Sequence, residues 1–309
     1  MVEVPSRDDV LRARTVVEQH LLRTPMLSSR TLGARLKCEL FQRTGSFKAR
    51  GALNKLASLS AEDKARGVIA ISAGNHAQAT AYAASVYGVD ALVVMWTGAS
   101  EQKITATRGY GAAVDLEANG PGEAFARLST LMEQTGRTLV HPFDDPVVIA
   151  GAGTVGLEIE EEAPDADAVL VAVGGGGLVS GVVAALGTSG PIRVVAVEPE
   201  TSQALHAGIA AGEPVPVEPR SIADGLNAPF AGRIGIESCR TIERVLVSED
   251  EIKEAFRFLY SRTKLACEPA AAAAAAALLS GRVKAERPVV IVSGGNVAAQ
   301  TASDILVLR

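Results

Sequence analysis

The sequence predicts an α/β protein built on parallel sheet. Short runs rich in Val and Ile recur along the chain, helical patterns separate them, and several of the strand-to-helix turns carry glycine. The chain opens with a helix, because Ser6 and Asp9 form a capping-box signature ahead of Val10, Ala13, Val17 and Leu21 at helical spacing. Strands are expected at 68–71, 91–96, 168–173, 193–197 and 289–292, with shorter ones at 113–116, 138–141 and 245–247. The alanine tract 270–277 reads as a buried helix, since alanine is the best helix former and permits close packing. Pro214, Pro216 and Pro219 among charged residues mark a surface loop.

At 309 residues, 48% hydrophobic and 21% charged, the chain has room for about two domains and a large core. The net charge of -5, with no basic run interleaved with aromatics, argues against a nucleic-acid surface. Cys38, Cys239 and Cys267 are odd in number and form no CxxC pair, which excludes the usual zinc and redox motifs and fits a reducing cytoplasm. The charged N-terminus lacks an apolar core for a secretory signal, and the longest apolar run is too short to span a bilayer, so no membrane role is expected.

Four stretches carry chemistry. Ser46 reads as an N-cap, and Ala49, Ala52, Leu53 and Leu56 follow at helical spacing, which puts Lys48 in a first helical turn. The positive end of the helix dipole favours the neutral amine there, the form that attacks a carbonyl and makes a Schiff base. A solvated lysine behind a cap would look the same. Gly174, Gly175, Gly176, Gly177 and Leu178 follow the strand at 168–173, so several backbone amides can converge on one anion at a helix start, with phosphate the natural guest. The spacing is not GxGxxG and no GxxxxGK[ST] is present. Ser72, Ala73, Gly74, Asn75 and His76 lie at another strand's carboxyl end, the edge where open α/β sheets bind ligands. Asn75 could equally cap a helix there, and His76 could be a base or a structural imidazole. Ser293 and the following Gly294, Gly295 and Asn296 close the last strand, directing a hydroxyl into the same crevice or capping a helix. Glu198 and Glu268, each before a proline, read as caps or surface charges.

Taken in order, TGSFKARGA, SAGNHAQA, HPFDD, VIAG, GGGGL, VEPE, ADG, EPA and SGGN span almost the whole chain. This series closely resembles the pyridoxal-phosphate-dependent threonine and serine dehydratases, the group that also contains serine racemases. The resemblance implies fold type II, two open twisted, mostly parallel sheets flanked by helices, with pyridoxal 5'-phosphate between two domains. It implies a large cofactor-binding domain from 1–54 and 144–309, a small inserted domain from 55–143, and no C-terminal regulatory domain. Lys48 would hold the cofactor as a Schiff base and then, released by the substrate, remove its α-proton. Phe47 would pack near the pyridine ring, Asn75 would bond the phenolic oxygen, and Gly174 to Leu178 would cradle the phosphate. Ser293 would face the ring nitrogen, Gly225 would lie close to the cofactor, and the amides of residues 72–76 would hold the substrate carboxylate. The activity implied is β-elimination of L-threonine or L-serine to a 2-oxo acid and ammonia, in a dimer or tetramer that acts on a small amino acid.

Departures from the family pattern narrow this. Serine racemases carry an acid/base serine at the position of Ala73, and alanine has no such proton to give. Metal-activated members use a glutamate, a backbone carbonyl and an aspartate; Glu198 and Ser202 match the first two, but Ala204 stands at the third, so no metal is expected. Serine racemisation, dehydration of another β-hydroxy amino acid such as 3-hydroxyaspartate, and a non-catalytic vitamin carrier stand as the rival readings.

Overall fold

The structure, a computed structural model, describes residues 2–307. Among these, ten strands form two sheets. The six-stranded sheet has the order β1-β2-β10-β7-β8-β9. Its strands are β1 (Met26–Ser29), β2 (Ala34–Cys38), β7 (Ala168–Ala172), β8 (Arg193–Pro199), β9 (Glu243–Val247) and β10 (Pro288–Val292). The four-stranded sheet has the order β5-β4-β3-β6, from β3 (Val68–Ile71), β4 (Ala91–Trp96), β5 (Ala113–Ala118) and β6 (Thr138–Leu139). Every pairing is parallel except that of β1 with β2. The chain therefore enters the large sheet, builds the whole small sheet, and returns.

All eight strands expected from Val/Ile runs form, although β6 keeps only two of its four residues. Strands β3, β7 and β10 are buried along their whole length, as apolar runs covered by helices on both faces must be. The antiparallel pair β1 and β2 was not foreseen. Its second strand alternates with Arg35 and Lys37, and Lys37 is buried against Glu158 and Glu162, which no local pattern discloses.

Helices follow their local signals. The first, Arg7–His20, starts in the expected capping box of Ser6 and Asp9. The helix Pro269–Leu279 buries all eight of its consecutive alanines and packs on β7, β8 and β10, a proximity that larger side chains would prevent. The helix Lys48–Ser58 begins at Lys48, but Ser46 is not its cap. Ser46 is extended and bridges Gly294, which leaves its buried hydroxyl without a partner and the cap position to Phe47. That helix is fixed against Pro146–Glu162 by a close glycine contact: a Cβ on Gly151 would stand 2.5 Å from the Arg50 carbonyl oxygen. The position of Lys48 is thus set by backbone approach on one side and by the Ser46 bridge on the other.

Candidate active site

The carboxyl ends of β3, β7 and β10 converge on the start of the Lys48–Ser58 helix. At the end of β10 the backbone is stitched to the lysine segment, since the Phe47 amide donates to the Ser293 carbonyl at 3.1 Å and the Gly295 amide to the Gly45 carbonyl at 2.9 Å. Lys48 Nζ donates to the Pro142 carbonyl at 2.7 Å and lies 5.2 Å from the centre of the Phe47 ring. Burial brings its ammonium down from 10.5 to about 8, while Glu268 pulls the other way. Both the helix start and the desolvation favour a neutral amine, and desolvation is the larger cause on view.

The next residue after Pro142, Phe143, connects the lysine to the glycine loop. A Cβ on Gly175 would lie 2.3 Å from the Phe143 ring, and one on Gly177 would meet the Phe143 backbone at 3.0 Å. Gly176 is left-handed, with φ of 97°, and is the N-cap of the helix Gly177–Leu186, where no side chain caps the free amides. Among the described residues the amides of Gly174 to Val179 find no acceptor. Unpaired amides at a helix start form an anion site, so this loop fits a phosphate. Leu178 is buried beneath it, in the cluster against which Phe47 packs.

The second set of amides is more restricted than the sequence implied. The Ser72 amide is engaged with the Val94 carbonyl at 3.2 Å and that of Gly74 with its neighbour Ser72 Oγ at 3.1 Å. Those of Ala73, Asn75 and His76 have no acceptor among the described residues, at the start of the helix Asn75–Tyr87 whose N-cap is Gly74. The His76 imidazole is structural. It is buried on the Val140 carbonyl at 2.7 Å, and burial, reinforced by Lys48, lowers its pKa to about 3. Asn75 does not cap; its Nδ2 donates to both oxygens of Glu268, at 2.8 and 3.0 Å, and its Oδ1 accepts from Asn296 at 2.8 Å.

Glu268 is the residue that sequence reasoning misplaced. It occupies the N-cap position of Pro269–Leu279 yet makes no cap bond, and it is buried with its carboxylate turned to Asn75. Gly225 stands beside it, since a Cβ there would be 3.7 Å from Glu268 Oε1, and the adjoining Leu226 touches Gly174. The Ser293 hydroxyl, at the end of β10, makes no hydrogen bond among the described residues. Lys48, Asn75, Gly225, Ser293 and the glycine loop are therefore one neighbourhood. Glu198 lies elsewhere and is no surface charge: wholly buried, it accepts from the amides of Leu205 and His206 at 2.7 and 3.0 Å and from the His206 ring. The Ser202 hydroxyl donates to the Leu226 carbonyl. All three cysteines are buried, and burial pushes each thiol up to about 12, which removes them as nucleophiles.

Known proteins resemble this chain over most of its length. L-threonine dehydratase catabolic TdcB of Escherichia coli strain K12 is 40% identical over 96% of this chain and 95% of its own length. The L-threonine ammonia-lyase of Thermotoga maritima is 42% identical over 94% of this chain and 75% of its length. Among solved structures, maize serine racemase superposes with a TM-score of 0.92 at 32% identity, over 98% of this chain and 97% of that one. Residues 17–295 match the family model described as pyridoxal-phosphate dependent enzyme, and with a buried lysine, a glycine cradle and unpaired amides in place, the chain belongs to that family.

Proposed function

We propose that this enzyme is a threonine/serine ammonia-lyase, converting L-threonine to 2-oxobutanoate and ammonia and L-serine to pyruvate and ammonia. The observation that carries the reading is the buried Lys48 amine, lowered to about 8, between two sets of unpaired backbone amides. The two curated relatives named above for threonine turnover supply the substrate class.

Each residue has a role in this reading. Lys48 would hold the cofactor, and its neutral amine would take the substrate's α-proton as general base. The bound cofactor supplies an electron sink for the pair left by that proton. Gly174 to Leu178 hold the phosphate, Phe47 packs at the ring, Gly225 lies beside it, and Asn75 donates to the phenolic oxygen. The free amides of Ala73, Asn75 and His76, with the Ser72 and Gly74 backbone shaping the turn, orient the substrate carboxylate. Ser293 faces the ring nitrogen with a hydroxyl, which does not enforce protonation as a carboxylate would, so departure of the β-hydroxyl soon after proton loss is favoured. The division into 1–54 with 144–309 and an inserted 55–143 is likewise part of the proposal, as are a homodimer or homotetramer and a cytoplasmic setting.

Serine racemisation is the second reading, favoured by the maize neighbour's fold. Ala73 opposes it, since a methyl group cannot return a proton to the opposite face of the substrate. A screen of β-hydroxy amino acids, with ammonia and 2-oxo acid measured together and D-serine resolved by chiral chromatography, decides between them. Equal amounts of ammonia and 2-oxo acid from threonine or serine are expected; D-serine formed faster than pyruvate would overturn the assignment, and turnover confined to 3-hydroxyaspartate would move the substrate.

The phosphate cradle has its own test. Gly175→Ala places a methyl carbon inside the Phe143 ring's contact distance, so either the ring or the loop must move. Cofactor affinity, measured by absorbance titration, is expected to fall by at least about tenfold, equivalent to ~1.4 kcal/mol. Unchanged affinity would count against the cradle.

A further inference from the structure

The Asn75 side chain is an amide with two unlike ends, and only one of them suits an anionic oxygen. A chain of contacts fixes which end faces where. The Thr44 carbonyl can only accept, so Asn296 presents Nδ2 to it at 2.7 Å, and the same nitrogen donates to Asn75 Oδ1 at 2.8 Å. Thr44 is left-handed, with φ of 62°, and a Cβ on the next residue, Gly45, would stand 2.5 Å from Asn296 Oδ1, so this end of the chain is tightly built. Asn75 Nδ2 then points to Glu268, whose two oxygens both accept from it. A Cβ on Gly294 would stand 2.5 Å from Glu268 Oε1, so the absence of one there lets carboxylate and amide meet.

We propose that Glu268 is a positioning residue of the cofactor site: through Asn75 it holds Nδ2 ready for the cofactor's phenolic oxygen, and it carries a proton when that oxygen is bound as an anion. The inference rests on the cofactor placement proposed above. Two negative oxygens claiming one amide nitrogen would repel in a dry site, and a carboxylic acid removes that repulsion. The surroundings agree. Among the described residues no cation lies within ion-pair distance of Glu268, because Lys103 is paired with Asp224 at 2.7 Å and Lys48 is held on the Pro142 carbonyl. Burial pushes the Glu268 carboxyl up to about 7 against the pull of the Asn75 bond; Asp224 acts with burial and Lys103 against it, and Cys267 next to it is a protonated thiol.

The probe is 4'-deoxypyridoxine 5'-phosphate, which keeps the phenol and the phosphate but has no aldehyde to react with Lys48. Its affinity for the cofactor-free full chain is measured by fluorescence titration between pH 6 and pH 8, for wild type, Glu268→Gln and Glu268→Ala. Relative to Glu268→Gln, which cannot titrate but still accepts from Asn75, wild-type affinity is expected to fall about tenfold across that range. At pH 6 the glutamine variant should match wild type and rescue the loss, at least about fivefold, seen in the alanine variant. Ionisations of the probe are common to all three proteins and cancel in the comparison; that of Lys48, which Glu268 raises, is removed by repeating the titrations with Lys48→Ala in each protein, since the probe does not react with that amine. The same pH slope in wild type and Glu268→Gln, or equal affinity of wild type and Glu268→Ala at pH 6, would overturn the proposal. Ammonia release from threonine is measured on the wild-type holoenzyme in parallel: its absence with the expected binding pattern sinks the lyase reading alone, and its presence with no pH difference sinks the role of Glu268 alone.

Discussion

Replacing Lys48 by alanine is expected to abolish turnover and remove the visible absorbance of covalently held cofactor, while leaving the apoprotein folded. Among the described residues the Lys48 amine bonds the Pro142 carbonyl and forms no ion pair, so its removal breaks none. An amine buried without an ion-pair partner costs stability in its charged form, so the alanine variant should melt at or slightly above wild type. The amine's pKa of about 8 has a kinetic consequence. Only the neutral amine captures an aldehyde, and its fraction climbs from roughly a tenth at pH 7 to roughly nine-tenths at pH 9. The rate at which apoprotein captures cofactor, followed by stopped-flow absorbance, should rise several-fold over that interval. Retained ammonia production by Lys48→Ala would contradict the central role given to this residue, and a flat capture rate would contradict the neutral-amine account.

How much of this site was legible follows from what kind of contact holds each part. Lys48, the glycine loop and Asn75 announce themselves because each sits where a strand or turn becomes a helix, and small residues beside a turn are a local signal. Glu268 does not. A glutamate before a proline at a helix start reads as a cap, and what turns it instead toward Asn75, 193 residues away, is a tertiary contact made through Gly294. The same division holds for the fold. Strands of Val and Ile were legible at β3, β4, β7, β8 and β10, whereas β2, whose Lys37 is buried with acidic partners from a distant helix, was not. Ser46 failed in the opposite direction: its capping signal was strong, but pairing with Gly294 at the end of β10 overrode it.

The largest effect on stability is expected at Arg50, two residues beyond the lysine. Its guanidinium is completely buried and fully engaged, bonding Glu39 at 2.8 Å twice, Glu158 at 2.7 and 3.0 Å, and Thr154 at 3.0 Å. Lys37 joins the same cluster through Glu158 at 2.8 Å and Glu162 at 3.0 Å. Burial alone would push the Glu158 carboxyl up, yet Arg50 and Lys37 beside it bring it below the usual carboxylate range. Arg50→Ala removes the cation and leaves the Glu39 carboxylate, itself wholly buried, with only Thr24 as donor among the described residues. Breaking a buried pair in this way costs about 3–5 kcal/mol, for a fall in melting temperature on the order of 10 °C. Replacing Arg50, Glu39 and Glu158 together by apolar residues of similar volume should recover much of that loss, because the penalty comes from the orphaned charges more than from the missing attraction. Since Arg50 belongs to the first turn of the Lys48–Ser58 helix, the single variant should also weaken cofactor binding, and the triple variant should restore it in step with the melting temperature. Scanning calorimetry of the three proteins checks the argument: an alanine variant that melts within about 2 °C of wild type would mean that the cluster is not what holds the lysine's helix in place.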